Sequence, residues 1–254
     1  MELVQQQVSD GIRVIAMNRP DKRNALSAEM VAALRAAFAE ADVDPETKVV
    51  ILKGHGPAFC AGADLSYLQK ISENSPQENL ADSMALMEMM QSIVDCSKPV
   101  IAMVHGPAIA GGCGLATVCD IVIAGEERAQ FGYSEVKIGF IPAIVMVYLL
   151  RKVGDTQTRR LVLTAQNITA REAERIGLIT FVAPDDELEQ QALRLAGQIA
   201  GNSSSAMALS KEMMSTLHGM SLDAGLRYAA SMNALARQTA DCKAGIARFL
   251  SQTK

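Results

Sequence analysis

Four short runs rich in β-branched residues, at 13–17, 48–53, 100–104 and 121–124, recur between stretches of helical period, and this alternation constrains the chain more than any other feature. Each run is almost wholly apolar and closed by turn residues, as strands buried on both faces are. Between the first two, Ser27 is placed to cap a helix in which Val31, Leu34, Phe38 and Ala41 return at helical spacing. A second helix is expected over the Met-rich stretch 77–96, ahead of Pro99 and the third strand, and a short one after Gly112. Such strand, helix, strand units specify an α/β sheet with crossover connections.

Beyond Pro142 the pattern turns helical, with helices expected at 145–153, 170–176, 186–200, 203–218 and 222–239 and one more strand at 178–182. The chain is therefore expected to divide into an α/β core over 1–200 and a C-terminal helical region over 201–254. A length of 254 residues suits one large domain with such an appendage, and 49% hydrophobic residues can fill a sizeable core.

Charge and cysteine usage narrow the class. Lys and Arg number 24 against 28 Asp and Glu, and no basic cluster interleaves with aromatics, which argues against nucleic-acid binding. No apolar run nears the roughly 20 residues that span a bilayer, and residues 1–10 are polar, without the pattern of an export signal. The five cysteines form no CxxC pair, so neither a disulfide framework nor a zinc site is expected, and a cytoplasmic setting fits.

Two segments carry chemistry. Residues 54–65 read GHGPAFCAGADL and follow a strand; residues 104–115 read VHGPAIAGGCGL and lead from a strand through a Gly-rich turn into a helix. Backbone N–H groups from two such loops of one sheet can converge on a single carbonyl oxygen, the arrangement that stabilises enolates and tetrahedral intermediates. Neither loop matches a phosphate-binding GxxxxGK[ST] pattern.

Residues 59–65, FCAGADL, resemble the oxyanion segment of the crotonase superfamily, the enoyl-CoA hydratase/isomerase family. Further motifs agree in order: NRP at 18–20 followed by KRNAL at 22–26; the segment 110–115 followed by Cys119-Asp120; and FG at 131–132, Glu135 and GFIP at 139–142. The resemblance spans roughly residues 12 to 250. It implies a crotonase (ClpP/crotonase-like) fold, a spiral of ββα units with a C-terminal helical trimerisation region, assembling as a homotrimer or as a hexamer of two trimers. It implies an acyl-CoA substrate, no metal, and no cofactor beyond the coenzyme A of the substrate itself. Carried over by position, the amides of Ala63 and Gly111 form the oxyanion hole, Lys22, Arg23 and Ala25 receive coenzyme A, and Ala61, Asp64 and Leu65 line the pantetheine path. The segment 243–250, KAGIARFL, is similar to a family ending that often covers coenzyme A.

Hydratases of this resemblance commonly carry two glutamates. The first position here is Gly114; the second is Glu135, beside a strongly apolar stretch expected to raise its pKa. A lone carboxylate suits transfer of a proton from one carbon to another, as in Δ3-Δ2-enoyl-CoA isomerases, yet it can also serve hydration in sequence. The similarity of 135–143 to hydratases with a small residue at the first position favours an enoyl-CoA hydratase. The alternatives are the isomerase, a thioester hydrolase using the same oxyanion hole, and a non-catalytic acyl-CoA-binding protein.

Other reactive residues read as structural. His55 and His105 lie in turns, and no GxSxG elbow accompanies them or His218. Cys60 and Cys113 are assigned to packing, and Asp120 to tying down a turn. Met84, Met87 and Met90 share a helical face that borders the acyl pocket or packs as plain core.

Overall fold

Two sheets, of six and three strands, organise the chain in the computed structural model, which describes residues 2–71 and 73–252. The elements in order are β1 (Val4–Ser9), β2 (Ile12–Met17), α1 (Ala28–Val43), β3 (Val49–Gly54), α2 (Leu65–Ile71), α3 (Pro76–Asp95), β4 (Val100–Val104), β5 (Ala108–Ile109) and α4 (Gly111–Thr117). There follow β6 (Ile121–Gly125), β7 (Gln130–Gly132), α5 (Ala143–Thr164), β8 (Ile168–Thr169), α6 (Ala170–Arg175), β9 (Phe181–Ala183), α7 (Leu188–Ala200), α8 (Ser204–Leu217), α9 (Leu222–Ala236) and α10 (Ala240–Gln252). A 3-10 turn, Glu135–Ile138, separates β7 from α5.

The large sheet has the order β1-β2-β3-β4-β6-β9, parallel except for the β1–β2 hairpin, and the small one the order β5-β7-β8. The pleat sorts the apolar runs. Val50, Leu52, Val100, Ala102, Val104, Val122 and Ala124 enter the main core, packed with α1, α3 and α4. Their alternates Val49, Ile51, Ile101, Met103 and Ile123 face Leu188, Ala192, Ala196 and Ala200 of α7. Burial on both faces is what makes these strands continuous apolar runs.

The four expected buried strands and the Ser27-capped helix are present, Ser27 Oγ accepting from Met30 N at 3.3 Å. Other expectations need correction. The strand expected at 178–182 is β9, Phe181–Ala183; Leu178 and Ile179 are instead buried in the preceding turn, which Gly177 enters at φ +78°. The helix expected at 145–153 continues to Thr164 across a non-helical Gly154, and the span 222–239 ends as a helix at Ala236, with α10 following. In the C-terminal region, α8 is fixed to the core through Lys211. This cation is buried and donates to Ile93 O and Lys98 O, both at 3.1 Å, and to Asp120 Oδ2 at 2.7 Å.

Candidate active site

The site grows from the joining of the two Gly-rich loops. Cys60 N donates to Pro107 O at 3.2 Å and Ile109 N to Cys60 O at 3.0 Å, so residues 60 and 108 lie side by side in a short parallel bridge. This zipper needs close backbone approach: a Cβ on Gly112 would sit 2.1 Å from Cys60 O, and Gly62, at φ +87°, backs onto Ala110 and Gly111. On the other side Leu26 N donates to Gly62 O at 2.7 Å and Asp64 N to Leu26 O at 3.0 Å. Between these bonds the N–H of Ala63 is committed to no acceptor among the described residues, and the same holds for the N–H of Gly111.

Asn24 holds the first loop. It is fully buried at φ +55°; its Oδ1 accepts from Arg19 N at 2.9 Å, and its Nδ2 donates to the carbonyls of His55, Ala58 and Phe59. Four such bonds make one side chain the scaffold of two turns. Ala110 does similar work in the second loop, standing at φ +52° and ψ −125°, a conformation strained for any residue with a Cβ, and anchored by its N–H on Gly132 O at 2.7 Å.

Glu135 arrives from the neighbouring strand. Because β5 and β7 run parallel, with Ile109 opposite Gly132, the segments leaving them at Ala110 and at Tyr133 emerge at the same end of the small sheet. Glu135 is 9% exposed, and its Oε2 is buried with no hydrogen-bond partner among the described residues. Burial raises its pKa above the ordinary carboxylate value, opposed only in part by a hydrogen bond from its own backbone N–H. Such a carboxyl holds a proton more readily than an exposed one, which suits it to take a proton as a base and return it as an acid.

Ala61, Ala63, Gly111 and Glu135 line one cavity of about 800 Å³, within the size range of small-molecule sites. Its walls are mostly apolar. One face of α1 supplies Ala28, Ala32, Ala36 and Ala39, and the far side carries Phe140 and Ile141. Polar groups enter at Tyr67, whose hydroxyl donates to Asp82, and at Arg35, paired with Glu88 at 2.6 Å. The sequence reading does not reach these residues; the signal that could find them is the alanine stripe of α1 at helical spacing.

Other expected site residues lie elsewhere. Asp64, expected along the pantetheine path, is not among the lining residues: its carboxylate pairs with Arg19 at 2.8 Å and accepts from the N–H and hydroxyl of Ser66, which holds its pKa down at about 2. Lys22 and Arg23 are exposed and Ala25 is buried, all outside the cavity lining, although Arg23 O accepts from Ala61 N at 3.0 Å. The side chain of Leu65 lies outside the described residues. The methionine face does not border the cavity: Met84 is exposed and Met90 is core, while Leu86 and Ala85 do the lining.

Asp120 ties down structure, accepting from Val100 N and Lys211. His105 Nε2 donates to Gly56 O at 2.9 Å, and His55 meets Gln5. Cys60 and Cys113 are fully buried, which pushes both thiols up to about 12 and leaves them unreactive. Among the described residues no cluster of His, Cys, Asp and Glu could hold a metal ion, and no helix is long and apolar enough to cross a membrane.

The chain is similar to known proteins over nearly its whole length. The family model for enoyl-CoA hydratase/isomerase matches residues 7–254. A protein of Thermus thermophilus named as an enoyl-CoA hydratase is 42% identical over 247 residues, 97% of each chain. The 2,3-dehydroadipyl-CoA hydratase of Escherichia coli is 32% identical over 95% of this chain and 92% of its own. Among solved structures, a Legionella pneumophila protein described as an enoyl-CoA hydratase/isomerase (crotonase) superposes with a TM-score of 0.91 at 35% identity, covering 99% of this chain and 97% of the other.

Proposed function

The chain belongs to the enoyl-CoA hydratase/isomerase family, and on that premise we propose that it adds water across the double bond of a 2-enoyl-CoA thioester. The observation that carries this reading is the unpartnered, buried Oε2 of Glu135 in the same cavity as the uncommitted amides of Ala63 and Gly111. A buried acceptor without a protein partner is costly to the fold, and one that lies in a cavity is available to a bound molecule.

In the proposed reaction the thioester oxygen sits between the two amides. Water attacks C3 while ionised Glu135 takes its proton; the C2=C3 electrons move into an enolate held by the amides, and the same carboxyl returns the proton to C2. The addition is redox-neutral and requires no group beyond the coenzyme A of the substrate. Lys22, Arg23 and Ala25 remain the proposed coenzyme A contacts, on the resemblance alone.

One observation favours a second reading, the Δ3-Δ2-enoyl-CoA isomerase. Position 114 is a buried glycine whose Cβ space is filled by Val145, so Glu135 stands without a carboxylate from that helix. Incubation with crotonyl-CoA and, separately, a 3-enoyl-CoA decides between them: loss of conjugated thioester absorbance in the first is hydration, and gain in the second is isomerisation. Full activity of Glu135→Gln on every active substrate overturns the role given to Glu135, whereas turnover of neither thioester overturns both readings and leaves a non-catalytic binding role or a thioester hydrolase. By the same family resemblance we propose a homotrimer, or two trimers paired, in a cytoplasmic setting.

A further inference from the structure

The contact between α4 and α5 lies at the reacting end of the cavity. A Cβ built on Gly114 would stand 2.0 Å from Val145 Cγ1 and 2.7 Å from its Cβ, with Met90 Cε at 3.4 Å. Val145, 3% exposed, therefore seats its side chain in the notch that Gly114 leaves, and it also lines the cavity. Gly114 N donates to Ala110 O at 3.0 Å, so the notch lies one helical turn from Gly111, about 4.5 Å along the axis. On its other side Val145 belongs to the first turn of α5, which the segment 139–142 joins to the 3-10 turn that opens with Glu135.

We propose that Val145, seated over Gly114, sets the width of the cavity between the Gly111 amide and the Glu135 carboxyl and thereby the size of substituent tolerated on the reacting carbons. The inference rests on the proposed thioester reading and adds to it a residue that determines specificity. Its logic is that of a spacer. Gly114 leaves room for the Val145 side chain to seat against α4, and its two methyl groups decide how much room remains. Removing them widens the cavity beside the acyl carbons and leaves the amides and the carboxyl in place. Adding a methyl group to Gly114 drives α5 outward.

The test uses two saturated thioesters that cannot react, butanoyl-CoA and 3-methylbutanoyl-CoA, with dissociation constants measured by calorimetry. Val145→Ala is expected to shift the affinity ratio toward the branched thioester by about ten-fold, the usual worth of a methyl group in a fitted pocket, and Val145→Ile to shift it the other way. Thermal unfolding reads the packing independently. Gly114→Ala is expected to lower Tm by roughly 3–10 °C in the natural chain and by clearly less in a Val145→Ala background.

A ratio unchanged in both folded Val145 variants overturns the proposal, as does Gly114→Ala with natural Tm. If the natural chain binds neither thioester, the proposed function fails and this inference falls with it. Loss of activity in Glu135→Gln alongside an unmoved affinity ratio leaves that reading standing and sinks only the role of Val145.

Discussion

Single residues carry more of this site than the motifs suggest. Glu135 is the one whose surroundings change its chemistry, and its burial has a thermodynamic sign. Its folded-state pKa is raised, so the native state holds the proton more tightly than the unfolded chain. Stability contributed this way is full below the ordinary carboxylate pKa and is lost as pH rises through the higher folded value. Glu135→Gln is therefore expected to unfold at a higher temperature than the natural chain at pH 8, with the gap closing toward pH 4 in a series of melting curves. The same variant is expected to lower kcat about 10²–10⁴-fold on whichever enoyl-CoA proves active. Asp64 has the opposite sign: Arg19 and Ser66 hold its pKa at about 2, so its contribution is lost only as pH falls toward that value. Asp64→Asn is expected to cost about 1–3 kcal/mol in urea unfolding at pH 7, a penalty that shrinks in strong acid. The sequence displays Glu135, Ala63, Ala61 and Gly111 as candidates, and all four meet in one cavity. It does not display Asn24 as a scaffold or Asp64 as an ion-pair partner, because the groups that satisfy them lie in other turns.

At the scale of elements, legibility followed burial. The runs that became β2, β3, β4 and β6 stand out because both faces are covered, whereas β1, VQQQVS, is an edge strand with all but Val4 exposed and offers no apolar pattern. Strands β5, β7 and β8 are two or three residues long, below the length at which alternation can be read, yet β5 and β7 align the two halves of the site. Helix α5 is truncated in the sequence reading because Gly154 has the look of a helix end, and its φ of +73° bears that look out locally. Capping is legible at Ser27, whereas Ser75 and Glu78, which form a reciprocal box at the start of α3, lie just ahead of the stretch the sequence reading takes as helix. Ser75→Ala is expected to cost about 1 kcal/mol, read as a shifted denaturation midpoint, with substrate affinity unchanged.

The whole molecule is unevenly buried. The core behind the large sheet is closed on both sides, but α8, α9 and α10 leave Met214, Leu222, Leu226, Leu235, Ile246 and Leu250 exposed. These exposed apolar residues are the surface that the proposed trimer would cover. Light scattering on the purified chain is expected to give three or six times its 27.1 kDa; a monomer at micromolar concentration would sink that expectation. Lys211 joins this region to the core with its charge buried between two carbonyls and Asp120, and that arrangement sets an order in time. On the ribosome the strands around Asp120 emerge about ninety residues before the lysine that neutralises it. Until α8 leaves the exit tunnel, the carboxylate of Asp120 at the start of β6 waits without its cation, so docking of the last fifth of the chain through Lys211 is expected among the closing steps of folding.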